Sequence, residues 1–232
     1  MLRFPKMQII RIDLNKDYST AIAEAVAVLS SGGTIVYPTD TLYGLGANAL
    51  DEEAVKKIYR IKNRSFSKPL PVIVKNMLWA KELAYIGASA ENILEKIWPM
   101  VGSGNNDGAF TVGKVTVVLP KKEIVPSILT SGQRTIGIRI PDFIFLNKLL
   151  GRFGYPLTST SVNISGEEPS NDINKIITLF EERDEKPDLI IDAGVLPKSE
   201  PSTILDLTHP RQPKILRVGP SKPDQLLRLL QI

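Results

Sequence analysis

Cysteine is absent from the 232-residue chain. That excludes a disulfide scaffold, an iron–sulfur cluster, a thiolate zinc site and a cysteine nucleophile. Histidine occurs once, as His209, so a multi-histidine metal centre is excluded too. No apolar run approaches the ~18 residues that span a bilayer. The opening MLRFPKMQIIRID lacks the apolar middle of a signal peptide, so a cytoplasmic chain without membrane contact is expected. There is no G-x-x-x-x-G-K-S/T phosphate loop, and Gly44-Leu45-Gly46 has no third glycine at dinucleotide-binding spacing. On its own that G-x-G reads as a tight turn after a strand.

The rest of the composition is that of an ordinary globular protein, 43% hydrophobic and 23% charged. A chain of this size buries roughly 70–75% of its extended surface, enough for a core without staples. Lys and Arg number 29 against 25 Asp and Glu, a net charge of +4. So small an excess does not establish nucleic-acid binding, but it favours anionic ligands such as phosphates, nucleotides or RNA.

Helical and extended patterns alternate along the chain. Strands are expected at 7–13, 34–37, 70–74, 115–119, 135–140, 156–160, 188–192, 203–207 and 214–218. Helices are expected at 52–62, where Asp51 is the cap, and at 77–85, 90–98, 142–152, 172–182 and 223–231. Another helix, capped by Asp17, buries Ile22, Ala25, Val26 and Leu29 and stops at Gly32-Gly33. Thr39 to Gly46 reads as a polar loop. No repeat or linker divides the chain, so a single α/β domain over 1–232 with a twisted mixed sheet and flanking helices is expected. Residues 100–113, MVGSGNNDGAFTVG, read as a long loop insertion.

Four groups of residues could carry chemistry. Lys62, Arg64 and Lys68 lie at and just past a helix end, where they either complement the helix dipole or clamp a polyphosphate. Spacing leaves both readings open. In TSTSVNISGEEPS (158–170), strand alternation puts Ser159, Ser161 and Asn163 on one side, suited to a phosphate, a ribose or a base edge, or to turn chemistry alone. Arg139, inside the strand TIGIRIP, suits a ligand carboxylate or a salt bridge, and Arg217 in KILRVGP has the same two readings. His209 lies in a polar turn and reads as a bystander.

Six segments in this order, GGTIVYPTDTLYGLGANA (32–49), KNRSFSKPL (62–70), TIGIRIP (135–141), STSVNISGEEPS (159–170), PSTILDL (201–207) and LRVGP (216–220), resemble the YrdC/TsaC family of threonylcarbamoyl-AMP synthases. The segments together cover nearly the whole chain, and the combination of K-x-R, S-x-N and YPTDTLYGLG is highly specific. The resemblance implies a YrdC-like fold with an open cationic cleft. It also implies synthesis of L-threonylcarbamoyl-adenylate from ATP, L-threonine and bicarbonate, with pyrophosphate released. A separate transferase complex would then modify the tRNA adenosine beside the anticodon.

By the same resemblance, Lys62, Arg64, Lys68, Thr135, Ser161, Asn163, Ser170 and Arg217 form the ATP site. Thr41, Arg139, Ser159 and Ser202 form the threonine site, with Arg139 on the substrate carboxylate. Mg²⁺ would be held by the ATP phosphates, with no protein metal site, and no general base is assigned. Two departures are visible. Ile73 stands where many relatives have histidine, which bears on one threonine contact, and residues 100–112 interrupt the family's W-P-G-P-x-T segment. Only 12 residues follow Pro220, so the extra C-terminal domain of longer members is not expected. The competing functions are an RNA-binding module without catalysis, a carbamoyl-adenylate domain serving another acceptor, and an inactive relative. Weak RNA binding is compatible with the first.

Overall fold

Short β-branched runs become central strands, and amphipathic runs become the helices that cover them. The computed structural model of the chain describes residues 7–98 and 114–230. In chain order, β1 (Gln8–Arg11) leads to α1 (Ser19–Ser30), then β2 (Ile35–Tyr37), β3 (Gly44–Gly46) and α2 (Glu52–Ile61). Next come β4 (Val72–Ile73), α3 (Met77–Leu83) and α4 (Ala88–Ile97). The second part holds β5 (Val115–Pro120), β6 (Thr135–Arg139), α5 (Ile144–Phe153), β7 (Leu157–Thr158), β8 (Thr160–Ser161) and α6 (Ile173–Glu181). It closes with β9 (Leu189–Asp192), β10 (Thr203–Asp206), β11 (Lys214–Arg217) and α7 (Pro223–Leu230). The expected insertion at 100–113 lies outside the described residues.

The α/β class holds, but the strands divide between two mixed sheets where one was expected. Their orders are β1-β9-β2-β3-β8 and β11-β10-β5-β6-β4-β7. The division occurs inside the segment expected as one strand at 156–160. Thr158 pairs with Val72 in the second sheet, and Ser161 pairs with Gly44 in the first. Ser159 is the step between them, its N–H donating to Pro71 O at 2.8 Å. Strand β4 is also shorter than 70–74, because Pro69 and Pro71 bring no N–H to a ladder.

In the first sheet β2 and β9 are buried on both faces, and their side chains alternate as strand geometry requires. Ile35 and Tyr37 pack with Leu189, Ile191 and the helices α1 and α5, while Val36 and Ile190 face the larger core with α2 and the second sheet. Each fully buried Leu, Ile or Val in these layers contributes roughly 1.5–3 kcal/mol.

Helix α2 begins as the sequence indicates: the Asp51 carboxylate accepts from Glu53 N at 2.9 Å and Ala54 N at 3.2 Å. Such a cap is worth about 1 kcal/mol. Asp17 does not occupy the corresponding place on α1. Tyr18 is the N-cap, and Asp17 accepts from the backbone and hydroxyl of Ser19, a turn that falls one residue too early.

Candidate active site

The segment expected as a loop after β2 contains a strand whose glycines have a steric cause. β3 runs antiparallel to β2, with Gly44 opposite Tyr37. A Cβ on Gly44 would lie 2.7 Å from the Tyr37 ring, and one on Gly46 would meet the same ring at 2.7 Å and Thr158 O at 2.8 Å. The G-x-G is thus a bed for an aromatic ring, neither a tight turn nor a phosphate cradle. The Tyr37 hydroxyl donates to Thr158 O at 3.2 Å. Burial pushes the phenol up to about 12, against the opposing influence of Ser159 and Arg139. It is a neutral donor fixed beside the seam of the two sheets.

At that seam lies a cavity of about 260 Å³. Seven of the residues expected from the sequence line it: Thr41, Arg64, Arg139, Ser159, Ser161, Ser202 and Arg217. They come from the β2–β3 connection, the segment after α2, β6, the β7–β8 step, and the start and partner of β10. Ser159 and Ser161 both reach the cavity, and so does Thr160 between them. The strict alternation expected there fails because the chain changes sheets at Ser159.

Arg139 sits in β6 with its side chain only 7% exposed, and its Nη2 donates to both carboxylate oxygens of Asp40 at 2.5 Å. Its Nη1 donates to Thr41 Oγ1 at 3.4 Å. The turn that carries Asp40 is tied down by Thr39. Thr39 Oγ1 accepts from Thr41 N at 2.9 Å and donates to Leu42 O at 2.6 Å.

Across the cavity, Arg217 donates to Ser202 O through Nε at 3.0 Å and Nη2 at 2.7 Å. The Ser202 hydroxyl is 2.8 Å from Thr116 Oγ1. This corner depends on close backbone approach, since a Cβ on Gly219 would lie 2.2 Å from Pro201 O. Arg64 donates to Lys68 O at 3.2 Å and Pro69 O at 3.1 Å, bracing its own loop. Burial lowers both Arg64 and Arg217 from the ordinary guanidinium value, yet arginine stays charged.

The other five expected residues do not line the cavity. Lys62, the C-cap of α2, is 2% exposed. Its Nζ does not complement the helix end but crosses to the turn at the end of β8, donating to Ser161 O at 2.6 Å, Asn163 O at 2.9 Å and Asn163 Oδ1 at 2.8 Å. Burial, with a smaller push from Arg64, brings this ammonium down to about 7. Asn163 also accepts from Ser161 Oγ at 2.8 Å and donates to Ile164 O and Glu167 O, so it organises the turn. Lys68 is exposed on its loop, Thr135 opens β6 opposite Pro120, and Ser170 Oγ accepts from Asp172 N ahead of α6. Ile73 points into the apolar layer with Tyr37 and Leu157, away from the cavity.

Sequence reasoning missed Asp40, Thr116 and Tyr37. A signal for Asp40 existed, since an arginine inside a buried strand calls for a counter-ion. His209 lies elsewhere, its Nδ1 3.2 Å from Thr208 Oγ1. Among the described residues no group of three His, Cys, Asp or Glu side chains could hold a metal ion. No described helix is long and apolar enough to cross a membrane.

Residues 27–219 match the Sua5_yciO_yrdC family model, whose description reads "Telomere recombination". A Methanocaldococcus jannaschii protein is 36% identical over 204 residues, covering 87% of this chain and 88% of its own length. The threonylcarbamoyl-AMP synthase of Pyrococcus abyssi is 34% identical over 196 residues, 84% of this chain and 53% of that protein. The crystal structure of P. abyssi Sua5 complexed with L-threonine superposes with a TM-score of 0.81 at 31% identity, covering 96% of this chain and 60% of that one.

Proposed function

The chain belongs to the Sua5/YciO/YrdC family, and we propose that it is an enzyme, a nucleotidyltransferase making L-threonylcarbamoyl-adenylate from L-threonine, bicarbonate and ATP. One observation carries this reading: Arg139 and Thr41 share a single cavity with Arg64 and Arg217. An amino-acid carboxylate and a polyphosphate are the two anions such an arrangement suits. The naming of the P. abyssi relative as a threonylcarbamoyl-AMP synthase supports the choice of amino acid and product.

In this reading the threonine carboxylate meets Arg139, while Thr41, Ser159 and Ser202 supply neutral hydroxyls around its side chain and amine. The amine captures carbon dioxide or bicarbonate as a carbamate. A carbamate oxygen then attacks the α-phosphorus of ATP, and the bond to the β,γ-diphosphate breaks to release pyrophosphate. Charge grows on the phosphoryl oxygens and the leaving group, so Arg64, Arg217 and the hydroxyl of Ser161 act by electrostatic stabilisation and positioning. Holding both substrates in one seam supplies the orientation. Lys62 and Asn163 serve this site by fixing the 161–163 turn. Among the described residues no carboxylate lines the cavity, and Mg²⁺ would arrive with ATP and keep phosphate and water as its ligands.

The mixed anhydride would pass to a separate transferase for modification of tRNA adenosine beside the anticodon, in the cytoplasm. Incubation with ATP, bicarbonate and labelled L-threonine tests the reading. Label recovered in an adenylate is expected, and label remaining wholly in free threonine while ATP is consumed contradicts it.

A further inference from the structure

The Arg139 guanidinium is held from two directions. Its Nη2 is paired with Asp40, a carboxylate 10% exposed, and its Nη1 is beside Thr41 Oγ1. Thr41 and Arg139 line the cavity, whereas Asp40 does not. The carboxylate therefore engages the guanidinium from behind, on the edge away from the ligand space. It also sits on a stiff turn, because Thr39 Oγ1 bridges Thr41 N and Leu42 O.

We propose that Asp40 is a positioning residue for the amino-acid subsite, acting through Arg139 to present its Nη1 edge, beside Thr41, to a substrate carboxylate. An arginine side chain has several rotamers of similar energy, and a polyphosphate in the same cavity would attract it. A carboxylate fixed behind it selects one rotamer before substrate arrives. The charge balance works in the same direction. The Asp40 charge offsets that of Arg139, which suits a zwitterionic amino acid. Arg64 and Arg217 donate to neutral backbone oxygens of Lys68, Pro69 and Ser202, so their positive charge serves a polyphosphate. Asp40 thus assigns Arg139 to the amino-acid carboxylate and leaves Arg64 and Arg217 to the polyphosphate.

This role rests on the reading of Arg139 as the amino-acid carboxylate site. Steady-state kinetics on Asp40→Asn, Asp40→Glu, Arg139→Ala and the Asp40→Asn/Arg139→Ala double variant separate the two. In Asp40→Asn the threonine KM rises about tenfold or more, while kcat and the ATP KM stay within about threefold. Pyrophosphate becomes competitive with threonine, because Arg139 has lost the Asp40 charge that offsets its own. Asp40→Glu restores most of the threonine affinity. In the Arg139→Ala background Asp40→Asn adds no further rise.

Equal rises in both KM values, or effects that multiply in the double variant, overturn the proposal. If Arg139→Ala raises the threonine KM selectively and Asp40→Asn does not, the proposal alone falls. If Arg139→Ala leaves the threonine KM unchanged, the subsite assignment falls with it. Should Asp40→Asn fail to fold, Asp40→Ser keeps an acceptor on the same turn and is judged by the same outcomes.

Discussion

The Lys62 ammonium donates to the side-chain oxygen of Asn163 at 2.8 Å, joining the end of α2 to the turn after β8. The same nitrogen also serves Ser161 O and Asn163 O, so three acceptors converge on one buried cation. Only the ammonium has three protons to give them.

A pH dependence follows. The folded value of Lys62 is about 7, below the ordinary 10.5. Between those values the unfolded chain binds the extra proton, so stability from this group rises with pH, with a slope of up to about 1.4 kcal/mol per pH unit. Below pH 7 both states are protonated and the burial cost is present in full. Urea unfolding at several pH values between 7 and 9 measures this. The stability of the native chain relative to Lys62→Met is expected to increase across the range, and a constant difference would place the titration elsewhere. A bound polyphosphate would raise the folded value, so its affinity is expected to weaken as pH rises above 7.

Arg64 braces its loop through two half-exposed carbonyls that water can serve in its place. Arg64→Ala is therefore expected to lower kcat/KM for ATP by about tenfold or more, a loss of about 1.4 kcal/mol of transition-state stabilisation. Thermal unfolding is expected to shift only slightly. A large drop in melting temperature with unchanged turnover per folded molecule would mean that the loop brace is its main role.

The two glycines of β3 are separable. The three atoms nearest a Cβ on Gly44 all belong to Tyr37, whereas those nearest one on Gly46 include the Thr158 carbonyl as well. Each is expected to destabilise by about 1–3 kcal/mol, as overpacking does. In a Tyr37→Leu background the cost of Gly44→Ala should largely vanish and that of Gly46→Ala persist, as read by urea unfolding. Equal rescue of both would show that Thr158 yields easily.

Helices and hydrophobic strands were legible because local rules settle them. Asp51 sits where a cap belongs, and Val55, Ile58 and Tyr59 recur at helical spacing. β3 was not legible, since Gly-Leu-Gly has little strand propensity and its cause is the Tyr37 ring on the neighbouring strand. The change of sheet at Ser159 leaves no mark in Thr-Ser-Thr-Ser, because either sheet accepts those residues. The cavity unites Thr41, Arg139, Ser161 and Arg217 across long stretches of chain, and local spacing carries no information about such pairings. The family resemblance grouped them, and although its segment 32–49 includes Asp40, it gave that residue no role. That partner lies 99 residues from Arg139; the buried arginine calls for a counter-ion, and the geometry says which carboxylate it is.

The central claim is that one cavity joins an amino-acid carboxylate site to a polyphosphate site, and pyrophosphate release from ATP tests it most directly. With Mg²⁺ and ATP present, release is expected only when L-threonine and bicarbonate are both supplied. It is expected to fall to background when either is omitted. Pyrophosphate release at the same rate without threonine would contradict the account.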